Sequence, residues 1–199
     1  MKKYCSFLLL FTLNFYFSQQ TDGLRLIKEK YDAEVQTIHN NYEEAVKKVS
    51  IKKLPKITLK KDSHIASLKF KRNTEYLEEM DRIKAAYKPS FSQSGTGDQK
   101  NETVTSPTHP KGLEFFKSEI EDNFYTDIIS GTGRIECKVY FVVEKDGSIL
   151  SVKAIGKNEV FNRQAELAVL LTPEKWKPAT KNNQPEVSYM SFPVAINFD

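Results

Sequence analysis

Cysteine is nearly absent, with only Cys5 and Cys137 among 199 residues. Cys5 lies in an N-terminal stretch that reads as removable, so the mature chain keeps one thiol and has no intramolecular disulfide. The fold must therefore stand on its core. Histidine is as sparse: His39, His64 and His109 are scattered over two helical stretches and a polar connection. They show neither metal-ligand spacing nor a Ser-His-Asp context, so no catalytic residue and no metal site is expected. Gly131-Thr132-Gly133 lacks the remaining elements of a phosphate loop, which leaves no cofactor signal either.

A long apolar run is also lacking. The longest stretch, residues 4–17, is interrupted by Ser6, Thr12 and Asn14, whereas a helix needs about 20 apolar residues to cross ~30 Å of hydrocarbon. With Lys2 and Lys3 before it and Ser18-Gln19-Gln20 after it, the layout is that of a signal peptide over residues 1–18. The chain is thus expected in the periplasm or cell envelope, or anchored in the inner membrane if the signal stays uncleaved. Charge of one sign is scarce as well. The net charge is +4, and losing Lys2 and Lys3 lowers it by two to +2. The densest basic run, Lys52, Lys53, Lys56, Lys60 and Lys61, reads as a solvated extended connection, so no nucleic-acid partner is expected.

What is present falls into segments. Tyr31, Val35, Ile38, Tyr42, Ala45 and Val49 recur in steps of four and three, with Leu24 one heptad upstream, which places them on one helical stripe. Pro55 ends that helix. A second begins near Asp62 as N-cap and carries Ile65, Leu68, Tyr76, Met80, Ile83 and Tyr87 before Pro89. Residues 19–88 are therefore expected to form a helical hairpin or coiled-coil arm, with self-association through the stripe as a second way to cover it. Residues 89–110, rich in Ser, Thr, Gly, Asn, Gln and Pro, read as a disordered linker that leaves two independent units.

Residues 111–199 change character. Leu113, Phe116, Ile120 and Phe124 space as a short helix, and residues 135–144 and 149–155 alternate around the turn signal Asp146-Gly147. Cys137 belongs to the apolar face of the first of these strands, a place for packing rather than reactivity. Phe161, Ala165, Ala168, Val169 and Thr172 lie on a helical face ended by Pro173, and Met190, Phe192, Val194, Ile196 and Phe198 alternate as a last strand. The expected fold class is α+β: an αββαβ domain with a three-stranded antiparallel sheet and both helices on one face, preceded by the arm and linker. A helical crossover after the hairpin puts the last strand at an edge. Trp176 reads as a core anchor whose indole Nε1 needs an acceptor.

Residues 111–199 resemble the C-terminal domain family of TonB, in the form found in Bacteroidetes-type envelopes. The resemblance rests on an ordered series: Gly133 before Val139-Tyr140-Phe141-Val142-Val143, then Glu144-Lys145-Asp146-Gly147-Ser148-Ile149, Glu166-Leu167-Ala168 and Trp176-Lys177-Pro178-Ala179. Asn182-Asn183-Gln184-Pro185, Tyr189, Phe192-Pro193-Val194 and Ile196-Asn197-Phe198 follow. It implies a non-catalytic protein that pairs the last strand with a TonB-box-like segment of an outer-membrane transporter, or with a segment of another envelope protein, through Val187, Tyr189, Ser191, Pro193, Ala195 and Asn197. The family's energy transducer is held by an uncleaved membrane helix, which the signal peptide here replaces. The alternative expectation is a structural or adaptor protein of the periplasm that uses the same fold as a scaffold.

Overall fold

The computed structural model describes residues 21–87 and 103–198. The expected signal segment, residues 1–18, and residues 89–102 of the expected linker lie outside the described residues. Helix α1 (Asp22–Lys48) opens with Thr21, whose hydroxyl accepts the Leu24 N–H at 3.4 Å. A single 3₁₀ turn, Ile51–Lys53, leads directly into α2 (Leu54–Ala86). Pro55 does not merely stop one helix; it occupies the first turn of the next, where its missing N–H would have had no partner. Asp62 is consequently inside α2 rather than its N-cap, and the basic run from Lys52 to Lys61 is helical rather than extended.

The two helices run antiparallel, as the cross-pairs Tyr31 with Glu75 (2.8 Å) and Tyr42 with Thr58 (2.8 Å) require. Every residue of the first stripe is buried or half-buried, which is why the hairpin forms. The arm does not stand apart from the C-terminal half. Helix α4 (Glu159–Leu170) is buried at Gln164, Ala165, Glu166, Leu167, Ala168, Val169 and Leu170, so it needs cover on all sides. The sheet covers one side and the base of the arm another: Leu24, Tyr76 and Met80 join the same core cluster as Phe161 and Leu167. Arg163 pairs with Asp81 at 2.9 Å, Lys84 with Glu166, and Tyr87 donates to Glu144 at 2.6 Å.

The main sheet is antiparallel in the order β3-β2-β6, formed by β2 (Gly133–Val143), β3 (Ile149–Gly156) and β6 (Ser188–Phe198). Helix α3 (Leu113–Asn123) and α4 lie on its apolar face, where Phe116 meets Phe141, Phe192 and Trp176 with ring centroids 5.8, 5.5 and 5.0 Å apart. The order and the edge position of the last strand are those expected from its pattern.

A second small sheet, β1-β4-β5, was not legible in the sequence. It comprises β1 (Val104–Thr105), β4 (Ala179–Lys181) and β5 (Gln184–Glu186). Asn182 and Asn183 turn between the last two with φ of 51° and 65°, the left-handed pair a tight hairpin needs. Residues 103–110 therefore form a strap and not part of a free linker. Thr108 and Lys177 exchange backbone hydrogen bonds of 3.0 and 2.9 Å, so the polar strap meets its hydrogen-bonding needs on a neighbouring chain segment.

Candidate functional site: an open sheet edge

A three-stranded sheet has two outer edges, and here they are treated differently. On β3 the Ala154 N–H donates to Glu166 Oε1 at 2.8 Å, and the Gly156 carbonyl accepts from Asn162 Nδ2 at 3.0 Å. Both acceptor and donor side chains come from α4. Glu166 is 2 % exposed, and Lys84 of the arm neutralises its other oxygen. This edge is closed by side chains.

The same bonds set the phase of the whole sheet. Both backbone groups of a strand residue point to one side, and the side alternates along the strand. Ala154 faces away from β2, so Lys153 and Ile155 face β2 at Tyr140 and Lys138. Val139 and Cys137 then turn the other way and meet Phe192 and Val194 of β6. It follows that Tyr189, Ser191, Pro193, Ala195 and Asn197 direct their backbone groups outward. Pro193, which has no N–H, falls in the one phase where that costs no ladder bond. Among the described residues no hydrogen bond reaches these outward groups, and no strand lies beyond β6.

Five of the six residues expected at the partner-binding edge thus share the outward phase. Val187 does not belong with them: it is half-buried and lies one residue before β6, in the joint that redirects the chain out of β5. Tyr189 is 73 % exposed, an uncommon position for a large aromatic side chain. Beside the edge, a groove of about 180 Å³ lies between Ile120 of α3, Phe124 just past its end, and Phe192, Val194 and Ile196 of β6. Every second side chain of an added strand would point toward it.

A second, polar constellation lies beside α3. His109 on the strap, Glu119 on α3 and Glu174 before β4 present ligand-type atoms all within 4.8 Å of one another. His109 Nδ1 lies 3.2 Å from the Gly112 carbonyl, which can only accept, so Nδ1 carries the proton and Nε2 is a bare lone pair. Burial lowers the His109 pKa and keeps the ring neutral. Burial, with Glu174 beside it, pushes Glu119 up to about 7. Burial acts on Glu174 in the same sense, but Lys111 and a hydrogen bond from the protonated Glu119 carboxyl together outweigh it and hold that carboxyl low. The expectation of no metal-ligand spacing applied to the linear sequence alone, and nothing in that spacing signals this cluster.

Trp176 is buried as expected, edge-on to Phe141 at 5.3 Å and to His109 at 5.6 Å between ring centroids, but among the described residues its Nε1 has no acceptor. Cys137 is buried too, and desolvation raises its thiol to about 11, which keeps it protonated and unreactive. Among the described residues no helix is long and apolar enough to cross a membrane. Comparison with protein-family models, with curated proteins and with solved structures finds no match to this chain.

Proposed function

We propose that this chain is a non-catalytic cell-envelope protein that captures an extended segment of another protein by adding it as a strand to β6. The carrying observation is the asymmetry of the sheet: α4 side chains close the β3 edge, while the outward groups of Tyr189, Ser191, Ala195 and Asn197 have no partner among the described residues. Each main-chain bond to an added strand contributes about 0.5–1.5 kcal/mol net, and side chains reaching the groove beside α3 supply selectivity. The resemblance to the TonB C-terminal domain supplies the partner class, a TonB-box-like segment of an outer-membrane transporter. Export by the N-terminal segment would place the domain where such segments are exposed.

The test uses prolines placed in the two phases of β6. Ser191→Pro and Ala195→Pro each remove an outward donor and should leave a folded protein whose capture of transporter-derived extended peptides falls about 2- to 10-fold. Val194→Pro removes a donor facing β2 and should unfold the domain. If the wild-type chain captures no such peptide, and no envelope protein crosslinks to β6, the scaffold reading replaces the binder.

A further inference from the structure

We propose that His109, Glu119 and Glu174 form a binding site for one divalent transition-metal ion of the Zn²⁺ class. The argument begins with an imbalance of donors and acceptors. Among the described residues, His109 Nε2, Glu119 Oε2 and Glu174 Oε2 are all buried acceptors without a hydrogen-bond partner. The His109 side chain is 0 % exposed, and its Nε2 lies 3.7 Å from Glu119 Oε2, too far for a hydrogen bond. Three converging lone-pair atoms with no donor among them call for a cation.

A shared proton is the simpler answer, and it is insufficient. One proton between the two carboxylates relieves their repulsion but leaves the imidazole lone pair unused. A metal ion uses all three. The Nδ1–H bond to the Gly112 carbonyl is the second-shell contact that fixes a ligating histidine in the required tautomer. Lys111 occupies Glu174 Oε1 and leaves Oε2 free. Imidazole with two carboxylates suits Zn²⁺ and its neighbours rather than Mg²⁺ or Ca²⁺, which favour all-oxygen shells.

The distances are near what an ion needs. Ligand atoms bound at ~2.1 Å to one ion sit about 3–3.5 Å apart, so the widest separation allowed here, 4.8 Å, closes with a shift of roughly 1–2 Å. Glutamate side chains with 14 % and 24 % exposure have the freedom for that and leave a path for the ion. Bound there, the ion ties the strap to α3 and to the connection before β4. It would do for this disulfide-free domain what a crosslink does elsewhere.

The experiment is titration of the chelator-treated full chain with Zn²⁺ alone, read by stoichiometry, thermal midpoint and imidazole ¹⁵N resonances. One ion per chain is expected, with the midpoint rising roughly 5–10 °C at a hundredfold excess over Kd. Only His109 Nε2 should move to a metal-bound position, with its Nδ1–H retained and the exposed His39 and His64 unaffected. Glu119→Gln and Glu174→Gln should weaken binding about 100-fold or more and abolish the midpoint shift. A tenfold excess of Mg²⁺ should not compete. The wild-type resonances decide the matter even if a variant fails to fold: an unmoved His109 Nε2 at one equivalent of Zn²⁺, or binding left intact in a folded variant, overturns the site.

Discussion

Replacing Gly147 by alanine separates two costs that usually travel together. Gly147 sits in the β2–β3 turn with φ +83°, and a Cβ there would lie 1.9 Å from the carbonyl oxygen of Trp176. The left-handed conformation alone costs a non-glycine residue about 1–2 kcal/mol. The clash adds a second term, because carbon and oxygen need more than about 3 Å and the obstacle is backbone. Trp176 must retreat, although its N–H donates to the Gly147 carbonyl at 2.8 Å and its ring is 4 % exposed against Phe116 and Phe141. Losing that buried hydrogen bond costs a further ~1–3 kcal/mol, for about 2–5 kcal/mol in all. Gly133 is the control, since it has φ +75° but no atom within 4 Å of its would-be Cβ, and Gly133→Ala should cost only the ~1–2 kcal/mol of conformational strain. Urea unfolding followed by the fluorescence of the single tryptophan measures both. Equal costs for the two variants would refute the close approach of turn and tryptophan loop.

Other perturbations probe the remaining packing. Met80→Ala empties a fully buried position shared by arm and sheet domain, so it should cost roughly 2–5 kcal/mol and shift far-ultraviolet dichroism and tryptophan fluorescence together; two separated transitions would contradict the docked arm. Glu166→Ala strands the Ala154 N–H and Lys84, should cost about 3 kcal/mol, and opens the β3 edge, so sedimentation should reveal new self-association that Glu166→Gln largely avoids. Asp146 is held down to about 2: partial burial opposes ionisation, but hydrogen bonds from Lys175 and Ser148 outweigh it. A depressed carboxylate stabilises the fold above its unfolded value and loses that contribution as pH falls from about 4 to about 2. Its side chain is 59 % exposed, so screening limits the effect to under ~1 kcal/mol, and Asp146→Asn should flatten the stability profile in that window and nowhere else.

The elements set by local pattern were legible in the sequence. The Tyr31-to-Val49 stripe, the alternation around Asp146-Gly147 and the alternation from Met190 to Phe198 each report a periodicity that one buried face imposes. The start of α2 was misread because a proline is ambiguous: Pro55 ends one helix pattern and equally well opens another. The docking of the arm had a signal in the run Leu167-Ala168-Val169-Leu170, apolar all round the helix, which one sheet face alone cannot cover. The strap was hidden by its polar composition, since its order comes from backbone bonds to Lys177, Thr180 and Asn182 rather than from apolar burial. For the edge, the alternating residues were legible but the direction of their N–H groups was not. That direction follows from a bond between Ala154 and a helix that the sequence cannot align with it. The His109, Glu119 and Glu174 cluster is likewise a product of tertiary structure, assembled from three separate segments.

Amide hydrogen exchange along β6, with and without an extended transporter-derived peptide, tests the central claim most directly. In the free chain the N–H groups of Tyr189, Ser191, Ala195 and Asn197 should exchange quickly, while those of Phe192, Val194 and Ile196, bonded to β2, stay protected. Peptide should slow the first set and leave the second unchanged. Protection of Tyr189, Ser191, Ala195 and Asn197 in the free chain, or no change in them at saturating peptide, would contradict an edge that is open and built for strand addition.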